Sequence, residues 1–333
     1  MLTMSLLSVC TTETITSAAQ SLQKGALVAF PTETVYGLGA DATNESAVSR
    51  IYVTKNRPQD HPLIVHIHSL EAMGEWAENI SDYAIQLARD FWPGPMTLIL
   101  ERSPLAANFV TGGQDTVGLR VPAQPLALAL LKAFHDLGGS GVAAPSANRF
   151  GAVSPTTAQA VNEEIGQYLD ETQDLILDGG PCLVGVESTI IDCTGKTPQI
   201  LRPGAITQEM IEESTGLEVD QNSKGNAIRV SGALESHYSP KATVILDALA
   251  EPGDGFIAMN TMKTPNGAIR LASPATVEQY ARDLYAALRS ADEQGLSKIA
   301  VIQPQGSGLA EAIRDRLKKA AHNGLDFSPE AMP

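Results

Sequence analysis

LVAFPTETVYGLGADA, residues 27–42, joins a short apolar run to a loop rich in hydroxyl groups and glycine. The apolar run ends at Pro31, which is typical of a buried strand that leads into a functional loop. Two threonines, a glutamate and a tyrosine then precede Gly37 and Gly39. Small backbone and several hydroxyls therefore lie where a ligand could approach closely. The alternative is a strand, a tight turn and a second strand with no ligand.

The composition predicts a globular protein of two domains. The chain has 333 residues, of which 43% are hydrophobic and 18% charged, enough for two separate cores. Apolar runs fall short of the roughly 20 residues of a membrane helix, and the N-terminus lacks the basic region of a signal peptide. Three cysteines without metal-binding spacing favour a reduced, cytoplasmic protein.

The net charge bears on function. Lysine and arginine number 23 against 38 acidic residues, giving −15, whereas a protein that grips a nucleic-acid backbone needs a dense basic surface. Cations close to glycines and prolines suit a compact anion such as a nucleotide triphosphate, although each could be a solvated surface residue. They are Lys55, Arg57, Arg120, Arg149 and Arg202.

Secondary-structure patterns predict alternating strands and helices. In the first two thirds, helices are expected at 16–24, 44–53, 81–90, 125–135 and 207–215, and strands at 27–30, 63–67, 96–100, 116–122 and 175–177, with a glycine-interrupted strand pair at 184–192. Ser154 before Pro155 is expected to cap a helix through Val161. After a linker-like stretch at 221–226, strands at 243–246, 256–259 and 299–302 with two helices predict a small parallel sheet.

Two polar residues fall inside predicted strands. Arg120 should meet an anion, because an unpaired buried guanidinium is costly; that anion could be a structural carboxylate or a substrate carboxylate. His66 lies in the run LIVHI. A lone histidine on such an apolar strand is more often a hydrogen-bonded core residue than a ligand contact. Lys55 and Arg57 could reach one polyphosphate if their segment is extended, and a solvated basic turn is the alternative.

Several motifs, taken together, resemble one family. PTETVYGLG, KNRP, HPLIVHI, WPGPMTLIL and PSAN follow one another within residues 24–204 and resemble the Sua5/YrdC family of L-threonylcarbamoyladenylate synthases. The length and the later SHYSP segment resemble the two-domain form. The resemblance implies an α/β fold: a YrdC-like domain of twisted mixed β-sheet and helices at 12–213, a linker crossing the active site at 214–240, and a smaller Rossmann-like α/β domain at 241–333.

The resemblance also implies an activity. The family's nucleotidyltransferases form threonylcarbamoyl-AMP and pyrophosphate from L-threonine, bicarbonate or CO2, and ATP, for the t6A modification of tRNA. ATP is expected to bring Mg²⁺, held mainly by its own oxygens, and downstream proteins to pass the product to tRNA, with no membrane involved. A double-stranded RNA-binding module is the alternative, disfavoured by the charge. Carbamoyl transfer, as in hydrogenase maturation, would require further cysteines.

The resemblance finally implies site residues. The expected catalytic set is Lys55, Arg57, Ser146 and Asn148. ATP contacts are expected from Arg57, His61, Thr116, Ser146, Ser154, Arg202 and Tyr238, and threonine contacts from Thr34, His66, Arg120, Ala144 and Ser188. No protein metal site is expected. One departure is that Leu234, Glu235 and Ser236 stand where family members often carry basic residues.

Overall fold

The computed structural model describes residues 7–9, 11–220, 228–232 and 238–322. The chain divides into two compact units. The first comprises Met1–Phe150 and Ser154–Ala233, and the second comprises Gly151–Val153 and Leu234–Pro333. The predicted linker-like stretch at 221–226 lies outside the described residues.

A ten-stranded mixed sheet forms the centre of the first unit. Its strands are β1 (Leu7–Val9), β2 (Val28–Phe30), β3 (Gly37–Asp41), β4 (Ile64–His66), β5 (Met96–Glu101), β6 (Thr116–Arg120), β7 (Val142–Ala143), β8 (Leu175–Asp178), β9 (Thr189–Asp192) and β10 (Gln199–Arg202). Their order across the sheet is β1-β8-β2-β3-β7-β4-β6-β5-β9-β10. The sheet therefore mixes parallel pairs, such as β4 with β6, and antiparallel pairs, such as β5 with β6.

Helices accompany this sheet. They are α1 (Thr12–Gln23), α2 (Glu45–Lys55), α3 (Met73–Trp76), α4 (Asp82–Phe91), α5 (Asn108–Thr111), α6 (Pro125–Asp136), α7 (Ala158–Ile165) and α8 (Gln208–Thr215), with 3-10 turns at Leu70–Ala72 and Gly166–Tyr168. Val28 and Phe30 pack with residues of α1 and α6, whereas Leu27 and Ala29 belong to a second cluster with Tyr36. Because neighbouring strand residues face opposite sides, β2 is buried on both faces.

Several helix ends follow from the sequence. Ser81 caps α4 through the backbone N–H of Ala84, and Thr207 caps α8 through that of Met210. Gly25, just beyond the end of α1, has φ +87°, a left-handed conformation in which glycine carries no steric penalty. The N-cap predicted at Ser154 is wrong: α7 starts later and is capped by Thr157.

The second unit contains a four-stranded parallel sheet. Its strands are β11 (Thr243–Leu246), β12 (Gly255–Ile257), β13 (Ile269–Ala272) and β14 (Lys298–Val301), in the order β11-β14-β12-β13, and its helices are α9 (Val277–Glu293) and α10 (Leu309–Ala321). The parallel sheet was predicted, and β13 was not. In the part of the chain that the structure describes, no helix has the length and apolarity to cross a membrane.

Candidate functional site

Strand pairing places two of the predicted threonine contacts side by side. β4 and β6 run parallel, and His66 and Arg120 are register partners at their carboxyl ends. Both residues are buried, with exposures of 3% and 4%. The adjoining strand β7 pairs with β4 as well, and Ala144, just beyond β7, donates its N–H to the Ile64 carbonyl.

Arg120 is bound by protein groups at all three of its guanidinium nitrogens. Its terminal nitrogens donate to Glu33 Oε1 at 2.7 Å and to Thr34 Oγ1 at 3.0 Å, and its Nε donates to the Gly94 carbonyl at 3.2 Å. Among the described residues these contacts use three of the five N–H donors that a guanidinium has. Of the two anions that the sequence allowed for Arg120, the structural carboxylate is therefore present. N–H donors of Arg120 also remain for a substrate carboxylate.

The hydroxyl of Thr34 has a defined direction. Thr32 Oγ1 donates to the Val35 carbonyl at 2.7 Å and lies 2.8 Å from Thr34 Oγ1. Because the hydroxyl proton of Thr32 is already used, Thr34 is the donor between the two threonines. Thr34 also accepts from Arg120, so it has a lone pair left for a ligand and no proton to give.

His66 is an electrically neutral, buried imidazole. Burial, followed by the charge of Arg120, lowers the pKa of His66 to about 3. The ring meets Phe30 edge-on at a centroid distance of 6.0 Å. Its Nδ1 atom has no hydrogen-bond partner among the described residues. His66 thus offers a ligand a hydrogen-bonding nitrogen without a charge.

The pKa of His66 predicts a pH dependence of stability. The unfolded chain binds a proton at this residue near pH 6.5 and the folded chain near pH 3, so the free energy of unfolding falls as the pH falls below about 6.5. Between about pH 6 and pH 5, urea unfolding of the wild type should lose about 1 kcal/mol more than that of His66→Gln. Parallel stability curves for the two proteins would contradict this assignment.

Ser188 and Arg202 form a second buried group. Arg202 donates twice to the Ser188 carbonyl, at 3.0 and 2.9 Å, and once to Ser188 Oγ at 3.1 Å. Ser188 Oγ also lies 2.8 Å from Thr97 Oγ1 on β5. Ser188, predicted to contact threonine, and Arg202, predicted to contact ATP, are therefore in direct contact.

Lys55 is the last residue of α2 and is 1% exposed. Its Nζ donates to the carbonyls of Ser146, at 2.6 Å, and Asn148. Burial, followed by the charge of Arg57, holds the pKa of Lys55 well below its usual range. The extended Lys55–Arg57 segment considered from sequence is not found, because Lys55 is helical and Asn56 is left-handed at φ 51°. Three members of the predicted catalytic set nevertheless meet here.

Arg57 and His61 surround Phe150. The Arg57 guanidinium lies 5.6 Å from the centre of the Phe150 ring, and His61 meets that ring edge-on at 5.3 Å. Arg57 also donates to the Pro62 carbonyl at 2.9 Å. Phe150 in turn donates its N–H to the Lys55 carbonyl at 2.8 Å, which connects this group to the Lys55 group.

Residues 228–232 belong to the first unit and join two of the predicted ATP residues. Ser231 Oγ accepts from Arg57 at 3.2 Å, and the Ser231 carbonyl accepts from Arg202 at 2.9 Å. Val230 packs with Ile99 of β5. Thr116, at the start of β6 and half-buried, lines the same narrow cleft as Val230.

Ser154 binds a carboxylate in the structure. It is completely buried, and its hydroxyl donates to Glu187 Oε1 at 2.7 Å. Glu187 precedes Ser188, so the chain connects Ser154 to the Ser188 and Arg202 group.

Tyr238 belongs to the second unit. Its ring stacks on Tyr285 of α9 at 5.7 Å, and the buried Arg316 of α10 lies over it at 5.6 Å. Its backbone φ is +61°, unusual for a bulky residue. These packing contacts involve Tyr285 and Arg316, and the contact of Tyr238 with ATP stays a prediction.

One cleft of the first unit lies apart from the predicted site residues. An open cleft of about 890 Å³ runs beside α2, and its lining includes Val53, Phe109 and Tyr168 but none of the predicted site residues.

Among the described residues, no three His, Cys, Asp or Glu side chains are grouped so that they could hold a metal ion. The two described cysteines, Cys182 and Cys193, are buried free thiols.

Comparison with known sequences identifies the family of this chain. Residues 20–204 match the Sua5/YciO/YrdC family profile, which carries the description "Telomere recombination". The chain belongs to the Sua5/YciO/YrdC family. Residues 206–322 of this family member match the profile of the threonylcarbamoyl-AMP synthase C-terminal domain.

Relatives of this Sua5-family chain match over most of their length. It is 40% identical to a threonylcarbamoyl-AMP synthase of Pyrococcus abyssi, covering 91% of this chain and 93% of the relative. It is 39% identical to a Bacillus subtilis protein of the same name, covering 92% of each. The solved structure of P. abyssi Sua5 complexed with L-threonine superposes with a TM-score of 0.84 at 37% identity, covering 95% of this chain and 96% of that chain.

Several residues that contact the predicted members of this Sua5-family site were not predicted from sequence, among them Glu33, Thr97, Glu187 and Ser231. Glu33 stands between Thr32 and Thr34 in the opening stretch, and a buried arginine in need of an anion could have identified it. Thr97 and Ser231 reach their partners across 91 and 174 residues of sequence, so no local pattern indicates them.

Proposed function

We propose that this chain is a threonylcarbamoyl-AMP synthase that uses L-threonine, bicarbonate or CO2, and ATP. The observation that carries the proposal is the match of both family profiles and of the P. abyssi Sua5 structure across nearly the whole chain. The buried group of Arg120, Thr34 and His66 supports an amino acid as one substrate, because it combines a guanidinium, a hydroxyl acceptor and a neutral imidazole.

The reaction consists of two bond-forming steps. The neutral amine of threonine attacks carbon dioxide, forming a nitrogen–carbon bond and releasing a proton. A carbamate oxygen then attacks the α-phosphorus of ATP, and the bond to pyrophosphate breaks. Neither step needs a nucleophile from the protein. Catalysis therefore depends on aligning two anionic reactants and compensating the charge that builds on the leaving pyrophosphate.

The threonine side of the site would be built on Arg120. Its remaining N–H donors would hold the substrate carboxylate. Thr34, whose hydroxyl is left as an acceptor, would receive a proton donor such as the substrate amine. The uncharged His66 would add a hydrogen bond, with Ala144 and Ser188 completing the pocket.

The nucleotide side would be built on the connected groups around Lys55 and Arg202. Lys55 fixes the backbone of Ser146 and Asn148, and Arg57 and Arg202 share Ser231. Phosphate oxygens would replace part of these carbonyl and hydroxyl contacts, because an anion is the stronger acceptor for a guanidinium. His61, Thr116, Ser154 and Tyr238 stay predicted ATP contacts.

Mg²⁺ is expected to enter with the nucleotide. The described residues include no group of three carboxylate, imidazole or thiolate side chains suited to a metal, whereas Mg²⁺ commonly keeps several waters and binds through substrate phosphates. The ion would compensate phosphate charge. The downstream proteins, the indirect link to tRNA and a cytoplasmic location stay predictions.

An amino-acid panel tests this function. The protein is incubated with ATP, Mg²⁺, bicarbonate and each of the common amino acids in turn, and pyrophosphate release is followed. We expect release with L-threonine that depends on bicarbonate, and much slower release with serine and valine, which lack either the methyl or the hydroxyl group. Release that is equal for all amino acids, or independent of bicarbonate, would contradict the proposal.

A further inference from the structure

Glu33 is a buried carboxylate held at both of its oxygens. Oε1 accepts from Arg120 at 2.7 Å, and Oε2 accepts from the backbone N–H of Ala123 at 3.0 Å. Glu33 is 7% exposed, and the side chains of Glu33 and Arg120 are 8% and 5% exposed. The carboxylate therefore connects the loop after β2 to the end of β6 and the segment that follows it.

This arrangement fixes the guanidinium plane before any substrate arrives. A free arginine side chain loses about 2 kcal/mol of rotamer entropy when it is immobilised. With Glu33, Thr34 and Gly94 each accepting one N–H, that loss is met during folding. A carboxylate that binds later meets donors already in place, which is the basis of preorganised recognition.

Glu33 also sets the charge of the pocket. Its negative charge offsets that of Arg120, so the empty pocket contains a neutral pair. The buried thiol of Cys182 experiences both charges: burial, and then the charge of Glu33, raise its pKa to about 12, while Arg120 opposes the rise. The thiol is thus protonated and uncharged, so it does not compete with a bound anion for Arg120.

We propose that Glu33 is the positioning residue for the threonine carboxylate. It does not touch the substrate; it holds Arg120 in the orientation that the carboxylate requires and, through Arg120, orders the Thr34 and Thr32 hydroxyls. This inference rests on the proposed function, since it concerns the amino-acid side of the same site.

The test compares L-threonine with L-threoninamide, which lacks the carboxylate charge, in the wild type and in Glu33→Gln. Glutamine has one acceptor oxygen where Glu33 uses two, so either Arg120 or Ala123 N–H faces an amide donor instead. We expect the KM for threonine to rise about tenfold and the preference for threonine over its amide to fall by a similar factor, with the KM for ATP changing less than about twofold.

A second buried carboxylate provides the matched control. Asp174 accepts from Arg50 at 2.6 Å and from the N–H groups of Leu27 and Asp170, each at 2.8 Å, and is 1% exposed. It repeats the chemistry of Glu33 away from the predicted site residues. Asp174→Asn should lower thermal stability and leave the preference for threonine over threoninamide unchanged.

The outcomes separate the hypotheses. Glu33→Gln with the wild-type preference, or with equal rises in both KM values, would overturn the positioning role. If that variant does not fold, Glu33→Asp keeps the charge but is one methylene too short for both anchors; it should raise the KM for threonine at least threefold and spare that for ATP, and a wild-type KM would overturn the inference. A wild type without threonine-dependent pyrophosphate release would instead refute the proposed function.

Discussion

Replacing Lys55 with alanine is expected to lower pyrophosphate release by at least about a hundredfold and to lower the melting temperature as well. The Nζ of Lys55 donates to the Ser146 and Asn148 carbonyls from a site that is 1% exposed. Leaving a buried hydrogen-bonding group without its partner costs roughly 1–3 kcal/mol, and about 1.4 kcal/mol corresponds to a factor of ten in rate. Losing both contacts displaces the loop that carries two predicted catalytic residues.

The loss of stability is expected because the side chain of Lys55 is buried. Steady-state kinetics and thermal unfolding measure the two effects separately. Lys132→Ala is the control, because Lys132 pairs with Asp136 on the exposed side of α6, and such surface pairs contribute about 0–1 kcal/mol. Pyrophosphate release by Lys55→Ala within threefold of the wild type would show that the lysine has no such role.

Replacing Arg120 with methionine is expected to be the most destabilising change in the threonine pocket. It leaves the carboxylate of Glu33 buried without its counter-ion, and breaking a buried ion pair from one side costs about 3–5 kcal/mol. In a domain of this size that corresponds to a fall in melting temperature of roughly 6–20 °C. The KM for threonine should rise by at least about tenfold, because a charged contact with the carboxylate is lost.

Two variants test whether the ion pair explains this result. Combining Arg120→Met with Glu33→Gln removes both charges and should recover part of the lost stability without recovering threonine binding. Arg50→Met breaks the comparable pair with Asp174 and should leave the KM for threonine unchanged. A double variant no more stable than Arg120→Met would contradict the compensating role of Glu33.

Local sequence signals predicted much of the fold. Apolar runs and their spacing located most helices and strands of the first unit. Strand β13 was missed because its four residues are all half-buried and include Arg270, which stacks over Phe256 and binds the carbonyls of Ala258, Met259 and Met262. The β9 region was predicted as a strand pair, whereas the strand covers Thr189–Asp192. The cap at Ser154 failed because the helix begins only at Ala158, where Thr157 accepts from the Ala160 N–H.

The site was predicted in its residue types more completely than in its contacts. The polarity of Arg120 inside an apolar strand required an anion, and the structure supplies Glu33. The link between Arg57 and Arg202 through Ser231 could not be predicted, because it depends on where residues 228–232 pack. The motif resemblance identified the predicted site residues in their order along the chain. Their spatial arrangement comes from the fold: the register between β4 and β6 places His66 beside Arg120.

The most direct test of the proposed activity is the mass of the nucleotide formed from ATP, L-threonine and carbon-13-labelled bicarbonate. The two-step reaction predicts an AMP derivative that contains threonine and one labelled carbon, formed together with one pyrophosphate. A product without the label, AMP that carries no threonine, or ATP left unchanged in the presence of all three substrates would contradict it.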